Sequence, residues 1–295
     1  MTGLLAESMP ALVGVVFLLG LLVGSFLNVV IHRLPVMLER GWRREALALD
    51  GREAPAEEPY DLVRPRSACP ACKAPITALQ NIPVVSWLVL RGRCAGCRAP
   101  ISARYPLVEL LTALLSAAVA WQFGFGWSTA AGLVLTWFLV ALAFIDIDTQ
   151  LLPDSLTVPL LWLGLLAALC LPQVPAARLP VDLRTAVIGA VAGYLALWAV
   201  YHLFRLLTRK EGMGYGDFKL LAALGAWLGW RMLLPLVIGA AGVGALVGIA
   251  GILLRRREAG IPMAFGPYLA ASGWLMLMFG PQLVDAYLGL YGPPR

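Results

Sequence analysis

Long apolar runs, each closed by a polar or proline-bearing interruption, set the pattern of this chain. Stretches near the roughly 20 residues that a bilayer-crossing helix needs fall at 10–31, 105–122, 127–145, 154–171, 184–207, 218–233, 235–254 and 261–280. The sixth is short and weakly bounded. Pro153, Pro172, Pro175, Pro180, Pro235 and Pro262 lie near the proposed ends, where proline punctuates helices. The pattern predicts an all-α polytopic membrane protein of about eight transmembrane helices. Three regions follow: an N-terminal transmembrane helix over 1–31, a polar cytoplasmic domain over 32–104, and a membrane core of about seven helices over 105–295. The first stretch is no ordinary signal peptide, because Glu7 stands where a basic region is expected and the apolar run is long enough to span.

Composition agrees with lipid as the solvent. Of 295 residues, 60% are hydrophobic and 14% charged, with a mean hydropathy of +0.80, against about 25% charged in a soluble domain. The net charge of +6 suggests nucleic acid until the charges are placed. Residues 32–104 hold 12 of the 23 Lys and Arg, residues 205–219 hold four and residues 255–257 hold three. With eight spans and the N-terminus outside, these 19 share one face, and Arg178, Arg184, Arg231 and Arg295 take the other. Basic loops stay cytoplasmic, so the charge reads as topology, with attraction to anionic lipid as an addition and no nucleic-acid partner.

The polar region carries Cys69-Pro70-Ala71-Cys72 and Cys94-Ala95-Gly96-Cys97. Two Cys-x2-Cys pairs separated by 21 residues have the spacing of a four-thiolate zinc site, each pair aiming two sulfurs at one point. A cytoplasmic loop keeps its thiols reduced. Four thiolates leave no open coordination position, so the zinc is structural. A redox motif needs only one pair. Cys170, in an apolar run, reads as a small buried residue.

Acids near the membrane are the candidates for chemistry, since charge there is expensive. Asp146-Ile147-Asp148 ends the third stretch, and Asp217 opens the sixth after Gly212-Met213-Gly214-Tyr215-Gly216. The topology drawn from the basic residues puts these distant acids on the cytoplasmic face. Two carboxylates held together share a proton; one then activates water while its partner polarises a carbonyl. The glycines let an extended backbone approach. The plainer alternatives are acids sitting in interfacial water, Asp148 as a mere flank of Asp146, and Asp154 as an N-cap of the fourth helix.

At these residues the sequence resembles a known family. Gly214-Tyr215-Gly216-Asp217 is similar to the GxGD signature of intramembrane aspartyl proteases. The run Gly212 to Leu220, Phe144-Ile145-Asp146-Ile147-Asp148 through Leu152-Pro153-Asp154, and Gly24-Ser25-Phe26-Leu27-Asn28-Val29-Val30 with Arg33 and Pro35 resemble prepilin peptidases. The cysteine pairs resemble those of the bifunctional members. The stretch 36–62 carries no assignable motif. The resemblance implies a peptidase that removes the basic leader from type IV prepilins and type II secretion pseudopilins at the cytoplasmic face of the bacterial inner membrane. It implies Asp146 and Asp217 as the catalytic pair, Asp146 over Asp148 because it lies seven residues before Pro153. It further implies methylation of the new N-terminal amine with S-adenosylmethionine as donor. For that half Gly24, Asn28, Arg33 and the cysteine loop are candidates through the resemblance alone. Ser25 and Asn28, one turn apart, equally fit a helix–helix hydrogen bond. Glu109, just inside the second stretch, has an ion pair or a contact to the substrate amine as its candidate roles.

Other classes fit less well. A transporter commonly shows two similar halves and midplane acids; no repeat relates the first and second four stretches. A zinc metalloprotease needs a clustered ligand set, whereas His32 and His202 are isolated. A non-catalytic membrane scaffold with a zinc knuckle explains the cysteines and leaves the aspartate contexts unexplained.

Overall fold

The computed structural model describes residues 6–53, 55, 58–172, 179–210, 213–254 and 263–291. Pro175, Arg178, Gly212, the basic run 255–257, Pro262, Arg295 and the start of the last apolar stretch lie outside them. Among the described residues all regular structure is helical, apart from two isolated β-bridges. Eight helices of 14 residues or more answer the eight apolar stretches: α1 Met9–Leu49, α2 Arg104–Phe123, α3 Trp127–Thr149, α4 Asp154–Cys170, α5 Leu183–Thr208, α6 Tyr215–Leu228, α7 Leu233–Leu253 and α8 Gly266–Tyr291. Among the described residues five helical segments are long and apolar enough to cross a membrane: α1, α2, α3, α5 and the Trp230–Gly251 segment that includes most of α7. The chain divides into two compact units, Met1–Trp121 and Gln122–Arg295.

In the first unit, α1 does not stop where its apolar run stops. It continues from 31 to Leu49 with Pro35 inside it, and the whole 41-residue helix is about 60 Å long at 1.5 Å per residue. Residues 38–49 are mostly Leu, Glu, Arg and Ala, strong helix formers, and Glu39 and Arg43 pair at 3.7 Å one turn apart. Loss of apolarity therefore marks the end of a span but not of this helix. Near its start, Ser8 caps α1 by accepting the Ala11 N–H. Further along, Gly20 and Gly24 let α2 approach. A Cβ at Gly20 would lie 2.7 Å from Ala113 Cα, and one at Gly24 2.7 Å from Glu109 Cα. Small residues one turn apart let helix backbones meet without a side-chain layer between them.

In the second unit α6 is the centre. Every residue from Asp217 to Leu228 is buried except Lys219, which is half-buried. Helices α4, α5 and α8 pack around it. Glycines set the closeness here too: a Cβ at Gly189 would sit 2.2 Å from the Gly225 carbonyl oxygen, and one at Gly193 2.6 Å from that of Leu221. Trp227 lies over Gly164 and donates its indole N–H to the Leu160 carbonyl at 2.8 Å. At 14 residues, α6 is only about 21 Å long. The expected 218–233 span is thus a helix ending at Leu228, a bend at Gly229 (φ 81°), and a short 3-10 turn Trp230–Met232 leading into α7. Thr185 fills the space a Cβ at Gly229 would take. A helix enclosed by protein on all sides has no need to match the bilayer by its own length.

Candidate active site and metal centre

Helical periodicity separates the two acids that end α3. Neighbouring residues turn by about 100°, so Asp146 and Asp148 point to nearly opposite sides. Asp146 is buried at 4% exposure, beside the buried Ile145 and Leu142, whereas Asp148 is exposed. Asp217, in the first turn of α6, is buried at 6%. The two buried carboxylates lie within coulombic reach of one another, although 70 residues separate them. Asp146 Oδ2 accepts the Gly266 backbone N–H at 2.9 Å, and Asp217 Oδ1 is buried with no hydrogen-bond partner among the described residues.

The glycines of the motif act at different places. A Cβ on Gly216 would come 2.7 Å from Leu152 Cβ, whereas one on Gly214 meets only Asp217 Oδ2, at 4.0 Å. Leu152 also touches the space beside Gly266, so one buried leucine keys the loop before α4 between the first turns of α6 and α8. Asp154, expected as an N-cap, instead occupies the first turn of α4, with Pro153 at the cap. Its carboxylate accepts Lys219 Nζ at 2.6 and 2.7 Å, joining the two motif regions. Tyr201, Tyr215 and Phe218 form an aromatic cluster at the same end, with ring centroids 5.3–5.6 Å apart. His202 lies against Trp198 and Tyr201, a packed side chain. His32 is exposed on α1.

In the first unit, Cys69, Cys72, Cys94 and Cys97 bring their sulfurs within 4.8 Å of one another, with Cys69–Cys97 at 3.8 Å and Cys72–Cys94 at 4.0 Å. Tetrahedral zinc with Zn–S near 2.3 Å requires sulfurs about 3.8 Å apart, so the four thiols fit the ion. The halves repeat one another. Cys69 to Ile76 and Cys94 to Ile101 share the pattern Cys-x2-Cys-(Lys/Arg)-Ala-Pro-Ile. In each, the basic residue has positive φ (Lys73 59°, Arg98 60°) and donates its N–H back to the first cysteine carbonyl. A bridge then closes each knuckle, Ala68 with Pro75 and Arg93 with Pro100. The Cys72 and Ala71 amides pull the Cys69 thiol down to about 6, and the Cys97 and Gly96 amides lower Cys94. The Ala99 amide favours the Cys97 thiolate, yet Cys72, burial, Cys94 and Cys69 push it up to about 11. The crowded sulfurs therefore disfavour a full set of thiolates until a cation joins them. Cys170, expected to be buried, is exposed at the last residue of α4, where the helix ends.

The remaining candidates hold the first unit together. Gly24 has no free space beside it. Asn28 Nδ2 donates to the Tyr105 carbonyl at 3.1 Å. Arg33, 8% exposed, donates to the carbonyls of Asp61 at 2.9 Å and Pro65 at 2.6 Å and lies over the Tyr60 ring. Asp61 shapes that turn by accepting the Val63 and Arg64 amides, which hold its carboxyl below the ordinary value. Glu109 accepts the Val84 N–H at 2.7 Å. These contacts account for Asn28 and Arg33 within the first unit, and any part of Gly24, Asn28 and Arg33 in methyl transfer rests on the resemblance. Sequence reading passed over Gly266, which offers a backbone N–H and no chemistry-bearing side chain.

A many-helixed membrane protein with a buried aspartate pair in one unit and a four-thiol knuckle in the other is the class these features define. The chain belongs to the type IV leader peptidase family. The family model of that description matches residues 133–249, and the model of the bacterial peptidase A24 N-terminal domain matches residues 18–123. A prepilin leader peptidase/N-methyltransferase of Aeromonas hydrophila is 58% identical over 96% of this chain and 97% of that protein. Proteins of the same description from Pseudomonas aeruginosa and Neisseria gonorrhoeae are 53% and 52% identical, the first over 98% of this chain and 97% of its own length, the second over 90% of each. No solved structure matches the chain.

Proposed function

We propose that this protein cleaves the basic leader peptide from type IV prepilins and type II secretion pseudopilins, and then methylates the new N-terminal residue. The observation that carries the peptidase reading is the meeting of Asp146 and Asp217 in a buried site at one end of the second unit. In the proposed reaction one carboxylate takes a proton from water as the oxygen adds to the scissile carbonyl, and its protonated partner donates to the carbonyl oxygen. Collapse of the tetrahedral adduct then returns a proton to the leaving amine. Gly214, which faces open space, leaves room for an extended substrate backbone.

Eight crossings, with the segments 1–31, 32–104 and 105–295 as first helix, cytoplasmic domain and core, put both acids at the cytoplasmic side of the inner membrane. A substrate whose basic leader stays in the cytoplasm would meet them there. In this reading Cys69, Cys72, Cys94 and Cys97 hold one structural zinc, which ties the two knuckles together. The methyl donor would be S-adenosylmethionine, which supplies an electrophilic methyl group. This second activity is supported by the names of the relatives rather than by a site.

The test is cleavage of a prepilin in membranes by wild type, Asp146→Asn, Asp217→Asn and Asp148→Asn. The first two variants should insert normally and lose at least about 100-fold in rate, and Asp148→Asn should cut within about twofold of wild type. Near-normal cleavage by Asp146→Asn or Asp217→Asn would remove that residue from the mechanism.

A further inference from the structure

We propose that Gly266, the first residue of α8, is a positioning residue for the Asp146 carboxylate; the inference rests on the peptidase reading above. Gly266 lies beyond the residues that either family model matches. Its N–H belongs to the first turn of a helix, where amides have no partner within the helix, and it is donated to Asp146 Oδ2 at 2.9 Å. Tyr268 and Leu269 return their own N–H groups to the Phe265 carbonyl, so the start of α8 is a fixed platform. The residue that follows, Pro267, brings no N–H to compete.

Space makes the second argument. A Cβ at Gly266 would stand 2.6 Å from Asp146 Oδ2, and 3.0 and 3.1 Å from the two Leu152 methyl carbons. These neighbours are ends of side chains, not backbone. The backbone of Gly266 is also outside the left-handed region, so alanine suits it. An added methyl would therefore be accommodated by moving the carboxylate and the leucine methyls, at little loss of folding. Movement of a reacting oxygen by a fraction of an ångström is what catalysis tolerates least. Asp217 is met by the Gly214 backbone at the cap of its own helix, and its Oδ1 has no partner among the described residues. Of the two acids, Asp146 is the one whose placement is fixed by a neighbouring element.

The experiment measures prepilin cleavage by detergent-purified wild type, Gly266→Ala, Gly266→Ala/Leu152→Ala, Asp146→Asn and Asp217→Asn, as rate per mole of enzyme. Gly266→Ala should lose about 10- to 100-fold in kcat with KM within about twofold, because substrate binding does not need the displaced oxygen. The Leu152→Ala change removes the leucine conflict but leaves the one with Asp146, so the double variant should remain slow. Near wild-type kcat in Gly266→Ala would overturn the proposal. So would recovery in the double variant, which would make Gly266 a packing residue. If Asp146→Asn or Asp217→Asn cuts normally, the peptidase assignment itself fails, whatever Gly266→Ala does.

Discussion

At the scale of single residues, the glycines of one motif divide by what surrounds them. Gly216 has Leu152 Cβ where a methyl would go, whereas Gly214 has open space out to 4.0 Å. Gly216→Ala should therefore lower resistance to unfolding by about 1–3 kcal/mol, read as an earlier midpoint in denaturing detergent, and Gly214→Ala should leave that midpoint nearly unmoved. The sequence made Asp146 and Asp217 legible because a carboxylate in an apolar setting is conspicuous. It did not by itself separate Asp146 from Asp148, since α3 is apolar on every side and offers no polar face against which to set either acid. Gly266 was illegible for a different reason: its contribution is an amide, which every residue but proline has, and its value comes from a fold that brings position 266 to position 146.

Between elements, the second unit is held by backbone proximity more than by charge. At Gly189 an added methyl would fall 2.2 Å from a carbonyl oxygen of α6. That contact is with main chain and cannot swing aside. Gly189→Ala should separate α5 from α6 and lower stability by about 1–3 kcal/mol or more, whereas Gly242→Ala, with nothing within 4 Å, should be neutral in the same assay. The Lys219–Asp154 pair is short, but the Asp154 side chain is 63% exposed. Water screens such a pair, so Asp154→Asn should change stability by less than about 1 kcal/mol. Helix ends were largely legible from apolarity, usually within a few residues, as at 105–122 against Arg104–Phe123. The exceptions are α1, whose polar half has the propensity for a helix but not the hydrophobic signal of one, and α8, which runs past the expected end at 280 to Tyr291.

For the whole molecule, the two units have different sources of order. The second rests on helix packing; the knuckles of the first rest on short turns around four sulfurs, with few buried apolar residues between Ala68 and Ile101. The purified protein should carry one zinc per chain by elemental analysis, and Cys69→Ser/Cys72→Ser should carry none. Removing the ion with a chelator should open residues 68–101 to proteolysis, because metal affinity is folding free energy in such loops. The spacing of the cysteines foretold the cluster, and the repeated Ala-Pro-Ile after each pair explains why both halves turn alike.

The enclosure of α6 also bears on how the chain is made. A growing polypeptide enters the bilayer roughly segment by segment, and each segment is judged by its own affinity for lipid. Fourteen residues with Asp217 in the first turn and Lys219 just after it make a poor candidate for independent entry. Its place is defined by α4 and α5, made before it, and α8, made after it. Chains truncated after residue 232 should thus leave this segment open to water, whereas full-length chains should shield it, as labelling of an Ala222→Cys variant with a water-soluble thiol reagent would reveal. The aspartate on that helix would then reach Asp146 only when synthesis is nearly complete, which keeps the two acids apart until the protein around them exists.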